Sequence, residues 1–272
     1  MAVKFSICNE LFKGWSLKKV IEYISRIGYE GVEIAPFTIS YDIRHVSKNE
    51  RSEIHEIAER YGVEVVGTHW LLVTPPGLHI THPDENVRKL TVKYLIALVK
   101  FTADIGGKIM VFGSPKQRNI LPGVDERRAW EWATGVFKEV CKVAEDHGVT
   151  ICMEPLSRDQ TNFVNTAKEA TVLIEKVNSP NFQLILDVRS MFDEELSHSE
   201  IIKSYGKYLA HFHANDDNGL GPGFGRANYH KIAKALDYVN YRGYVSVEVF
   251  DFSLGAKYIA ERSIVNLIKY FR

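Results

Sequence analysis

The chain has 272 residues, 45% of them hydrophobic and 25% charged, an ordinary composition for a globular protein able to bury a substantial core. Lys plus Arg and Asp plus Glu both number 34, so no overall field favours a nucleic acid or an anionic membrane as a partner. No apolar run approaches a membrane span, the opening MAVKFSICNELF is too short and polar for a signal peptide, and Cys8, Cys141 and Cys152 lack paired spacing; a cytoplasmic chain with reduced thiols is expected.

In chain order, short β-rich runs alternate with longer stretches whose apolar residues recur every three or four positions. A strand over 3–8 precedes a helix over 17–27 with Ser16 as its N-cap, and 31–35 precedes 50–61. Strand 63–70 leads to helix 87–105, 108–112 to 126–147, and 150–154 to 167–177 with Thr166 as cap. Strand 183–187 is followed by a less regular helical stretch around 198–205, 209–213 by 229–239, and 244–249 by 256–271. RIGYEGVEI, RYGVEVV, DIGGKIMV and DHGVTICM repeat one theme of helix end, glycine and strand. Eight such units, with no GxGxxG after the first strand, predict one α/β domain over the whole chain: a closed (β/α)₈ TIM barrel.

Active sites of such barrels lie at the C-terminal ends of the strands. The fifth strand ends in Glu154, the sixth in Asp187 and the seventh in His213, and the eighth carries Glu248 near its end. Spacings of 33, 26 and 35 residues give one ligand per βα unit. Taken singly, Asp187 could be a helix cap and His213 a core histidine. Three carboxylates at one barrel mouth would repel one another without a cation, and three carboxylates with one imidazole suit Mn²⁺, Mg²⁺, Co²⁺ or Zn²⁺.

EPLSRDQTNFVNT, LILDVRSM, HFHANDDNGLGPGFGR and GYVSVEVF, in this order, resemble the xylose isomerase-like barrels. The branch they resemble is that of sugar isomerases and epimerases, typified by D-tagatose/D-psicose 3-epimerase and hydroxypyruvate isomerase. This resemblance implies a divalent ion, with Mn²⁺ first in line, held by Glu154, Asp187, His213 and Glu248. It also makes Glu154 and Glu248 an acid/base pair, and it suggests a homodimer or homotetramer. Two carboxylates on opposite faces of a ketose can remove the proton beside the carbonyl and return it from the other side, while a cation stabilises the enediolate. Delivery to the neighbouring carbon would give an aldose–ketose isomerase instead.

The surrounding shell departs from that branch. Gln160 stands where a second glutamate would follow Glu154, Ser190 where a histidine would follow Asp187, and Gly219 where an arginine would follow His213. The substrate is accordingly left open as a sugar, a sugar phosphate or a keto acid sugar. Lys116 and Arg118 in FGSPKQRN, Arg158, Gln160 and Arg189 are candidate substrate contacts, as are His69 and Trp70 from GTHWLL. His211, two residues before His213, should share its face of the strand as a core residue or a donor behind the ligand. Asp216 and Asp217 read as solvated turn residues, and Phe112 and Phe250 as possible apolar walls. Rival readings are a metal-dependent lyase of the inosose dehydratase type, a non-catalytic barrel, and an endonuclease IV-type nuclease. The last would need histidines that the strand ends lack.

Overall fold

A computed structural model describes residues 3–272. Eight strands, β1 (Lys4–Cys8), β2 (Gly31–Ile34), β3 (Glu64–Thr68), β4 (Ile109–Phe112), β5 (Thr150–Met153), β6 (Phe182–Asp187), β7 (Leu209–Ala214) and β8 (Tyr244–Val247), form a closed parallel barrel in sequential order. Closure is made by β1 against β8, with Phe5 opposite Val245 and Ile7 opposite Val247. The helices between strands are α1 (Leu17–Ile27), α2 (Lys48–Arg60), α3 (Glu85–Asp104), α4 (Glu126–His147), α5 (Ala167–Val177), α6 (Val188–Met191), α7 (His198–Tyr205), α8 (Tyr229–Tyr238) and α9 (Ala256–Phe271). Among the described residues no helix is long and apolar enough to cross a membrane.

Local chemistry sets most boundaries. Ser16 accepts the Lys19 amide to start α1, and Gly28 ends that helix at φ 103°. Thr166 and Glu169 close a capping box on α5. Two helices begin earlier than expected, because Ser47 with Glu50 caps α2 and Asp84 caps α3. The connection after β6 holds two helices rather than one, since Asp187 itself caps the four-residue α6 before Ser197 caps α7. Four strands stop short of their expected ends, β2 by a single residue at Ile34. Pairing runs out at Thr68, Met153 and Val247, so His69, Trp70, Glu154 and Glu248 lie just past their strands, with Trp70 at φ 53°.

Alternation along the strands sorts the interior into two environments. Phe5, Ile7, Met110, Phe112, Ile151, Met153, Leu184, Leu186 and Phe212 belong to the large apolar core that includes the helices. The opposite parity faces the lumen, where Val111, Cys152 and Ile185 form a small separate cluster. The same parity carries Glu33 and His211, the latter level with Ile185, and, nearer the mouth, His69, Glu154, Asp187, His213 and Glu248. Phe112 is therefore not a pocket wall, as its place on β4 allowed; it packs edge-on against Phe137 of α4 at 5.0 Å.

Candidate metal centre and active site

Glu154, Asp187, His213 and Glu248 converge at the C-terminal mouth of the barrel. All four are buried, and each offers a ligand atom within 4.8 Å of the others. His213 turns Nδ1 towards the carboxylates, 3.0 Å from Glu248 Oε2 and 4.0 Å from Glu154 Oε1. Its Nε2 meets Glu33 Oε1 at 3.1 Å. Gly113, at the exit of β4, leaves the space that the Glu154 carboxylate fills, since a Cβ there would overlap Oε2. A cavity of about 20 Å³ beside Glu154 and Glu248 has room for one water-sized species.

Burial and the mutual repulsion of carboxylates set the electrostatics of this cluster, with His213 as the opposing charge. Burial, followed by the neighbouring Glu248, pushes Glu154 well above the usual carboxylate range. Asp187 is raised by the same two causes. Burial also opposes charge on Glu248, but the imidazole of His213 outweighs it and holds this carboxyl low. Burial disfavours a charged His213 as well, and here Glu33 and Glu248 outweigh it and push the ring well above its ordinary value. A protonated imidazole thus supplies the positive charge among the carboxylates. The donor set, its burial and its spacing fit a divalent cation.

A further layer holds the four in place. Glu33, fully buried on β2, accepts from His211 Nε2 at 2.9 Å as well as from His213, and lies 3.7 Å from His69 Nδ1. Burial works against its charge, yet His213 and His211 outweigh it and keep this carboxyl well below the usual range. His69 donates to Glu10 at 2.8 Å, and that partner, against the pull of burial, pushes it up to about 9. Asp187 accepts the Ser190 amide on one oxygen and the Asn215 side-chain amide on the other. It is a helix cap and a member of the cluster at once.

Glu33, Glu10 and Asn215 have no place in the sequence reading of the site. An acidic residue inside the otherwise apolar GVEI run was the available signal for Glu33, because a charge on a buried strand needs a partner. Nothing local singles out Glu10 or Asn215.

The other expected contacts divide. His69, Trp70 and Gln160 line the small cavity beside Glu154 and Glu248, together with Phe250. Arg189 is half-buried at the mouth, its guanidinium 5.2 Å over the Phe250 ring. His211 lies behind His213, bonded to Glu33, and does not face the mouth. Of the basic residues, Arg118 is a correction, while Arg158 and Lys116 stand outside the lining of the small cavity. Arg118 is fully buried and donates to the backbone carbonyls of Glu154 at 2.6 Å and Val164 at 3.3 Å, so it braces the end of β5 rather than awaiting an anion. Arg158 is exposed and turned to Asp193 at 3.5 Å, and Lys116 is exposed on a 3₁₀ turn. Asp216 is likewise no solvated turn residue. Fully buried, it accepts the amides of Asp217, Gly223 and Ala227 and so gathers the glycine-rich loop after β7.

Comparison with known proteins places this architecture. A family described as the xylose isomerase-like TIM barrel matches residues 21–271. A D-psicose 3-epimerase of Agrobacterium fabrum is 35% identical over 87% of this chain and 81% of its own. Another D-psicose 3-epimerase, from Ruminiclostridium cellulolyticum, is 29% identical over 86% of this chain and 78% of its own. Among solved structures, D-psicose 3-epimerase with D-tagatose from Clostridium cellulolyticum H10 superimposes with a TM-score of 0.86 at 24% identity, covering 99% of this chain and 100% of that one.

Proposed function

The chain belongs to the xylose isomerase-like TIM barrel family, and from that premise we propose that it is a divalent-metal-dependent ketose epimerase that inverts the carbon beside the carbonyl. The observation that carries this reading is the meeting of Glu154, Asp187, His213 and Glu248 within 4.8 Å at the barrel mouth. Relatives named as D-psicose 3-epimerases support the substrate class.

In this reading Glu154, Asp187, His213 and Glu248 hold the ion, with Mn²⁺ the expected metal. When bound, the cation polarises the ketone and stabilises the negative charge left by loss of the adjacent proton. His213 presents Nδ1 to the centre while its Nε2–H donates to Glu33, which fixes both tautomer and ring orientation. Glu154 and Glu248 exchange the proton, one removing it and the other returning it from the opposite side. The sugar occupies the space of about 720 Å³ that adjoins the small cavity across Trp70 and Phe250, with His69 and Gln160 orienting the hydroxyls nearest the carboxylates.

A direct test incubates the chelator-treated protein with D-fructose and D-psicose in deuterated water, with and without added Mn²⁺. The expected result is metal-dependent interconversion with one deuterium at the inverted carbon. Interconversion that survives chelation, or proceeds without solvent deuterium, would contradict the reading.

A further inference from the structure

Cys8 ends β1 with its thiol buried in the barrel, 3.8 Å from Ser246 Oγ. No step of the epimerase reading uses it. Two groups of metal-ligating side chains include it, one with Glu33 and His213 and one with Glu10 and His69. The first group is already satisfied. Both ring nitrogens of His213 are bonded, to Glu248 and to Glu33, and Glu33 also receives His211. In the second, Cys8, Glu10 and His69 each offer a ligand atom within 4.8 Å of the other two. Glu10 stands in the turn after β1 and binds His69 Nε2 at 2.8 Å through one oxygen. Its other oxygen and His69 Nδ1 are buried and, among the described residues, have no hydrogen-bond partner. Buried polar atoms rarely stay unpaired, because each forfeits its hydration, and a cation would engage both.

We infer that Cys8, Glu10 and His69 form a second metal site, separate from the carboxylate-rich centre, which takes a thiophilic divalent ion of the zinc class. Thiolate, imidazole and carboxylate are donors that Zn²⁺ accepts, and Co²⁺ is its optical stand-in. Mn²⁺ is harder and favours the oxygen-rich centre at the mouth. Binding releases the Cys8 thiol proton, and any second proton on His69, to solvent. Glu10 lines the larger cavity and His69 the smaller, so an ion held here also withdraws the His69 ring from the sugar.

The test titrates the chelator-treated, fully reduced protein with Co²⁺ alone and with Mn²⁺ alone. Two equivalents of Co²⁺ per chain are expected, one of them bringing the intense ultraviolet band of a cobalt–thiolate bond, against one equivalent of Mn²⁺. Cys8→Ser should bind a single equivalent of Co²⁺, without the band, and keep its Mn²⁺ affinity. Cys152→Ser should keep both equivalents and the band. A single equivalent of Co²⁺ in the unmodified chain would overturn the inference, and a band at that stoichiometry would put Cys8 on the ion at the mouth instead. Two equivalents without the band, or a band that survives Cys8→Ser, would overturn it as well. Should circular dichroism show Cys8→Ser unfolded, Glu10→Ala decides: loss of the band-bearing equivalent supports the site, and its retention overturns it. Neither readout needs turnover, so the epimerase reading stands or falls separately.

Discussion

Glu154→Gln and Glu248→Gln should each lower kcat for any responding ketose by ~10³-fold, within the range that positioned proton transfer supplies. The double variant should lose little more than either single one, because a proton taken but not returned completes no inversion. Steady-state epimerisation rates at saturating Mn²⁺ check both statements, and retained turnover in either single variant would remove its assigned role. The two variants should part company in thermal unfolding of the metal-free protein. Glu154 is held above its ordinary range by burial and by Glu248. A group raised in the folded state costs stability once the pH passes that raised value, so Gln at 154 should leave the melting temperature unchanged or higher at alkaline pH. Glu248 is held low, chiefly by His213 against the pull of burial. Its stabilisation is present above the unfolded carboxylate pKa and lost as pH falls through the folded one, so Gln at 248 should lower the melting temperature at neutral pH.

Glu33→Gln is expected to weaken Mn²⁺ affinity by ~10–100-fold, the usual consequence of removing the group behind a metal-bound histidine. Glu33 touches no carboxylate of the centre. It acts by receiving Nε2 of His213 at 3.1 Å and Nε2 of His211 at 2.9 Å, which leaves Nδ1 of His213 turned to the mouth. Gln keeps one acceptor but loses the charge that favours the bond. Alanine leaves two buried imidazoles without their acceptor, and breaking such a buried pair typically costs ~3–5 kcal/mol. Competition against a chelating dye measures the affinity, and urea unfolding of the metal-free protein measures the stability. Wild-type Mn²⁺ affinity in Glu33→Gln would show that the ring of His213 is positioned by something else.

The barrel and the convergence of four side chains were legible in the sequence for a simple reason. Strand period and unit spacing are local properties, and a parallel barrel converts them directly into shared height and shared face. His213 lies opposite Asp187 in the β6–β7 register, as expected of residues that each end a strand. Long side chains were not legible in the same way. Arg118 and Arg158 lie several residues past the ends of β4 and β5, and four rotatable bonds decide where each guanidinium goes. One turned inward to backbone carbonyls and the other outward to Asp193. Asp216 was misread because its partners, the amides of Gly223 and Ala227, come from further along an irregular loop that no period describes. The larger cavity at the mouth, lined by Trp15, Phe37, Trp70 and Phe250, draws on loops after β1, β2, β3 and β8, far apart along the chain, and only barrel closure makes them neighbours.

A crystal soaked in Mn²⁺ and measured at the manganese absorption edge is the most direct test of the metal centre. One anomalous peak is predicted at the barrel mouth, enclosed by Glu154, Asp187, His213 Nδ1 and Glu248, with His213 Nε2 still bonded to Glu33. A peak elsewhere, or none with His213 still bonded straight to Glu248, would contradict it.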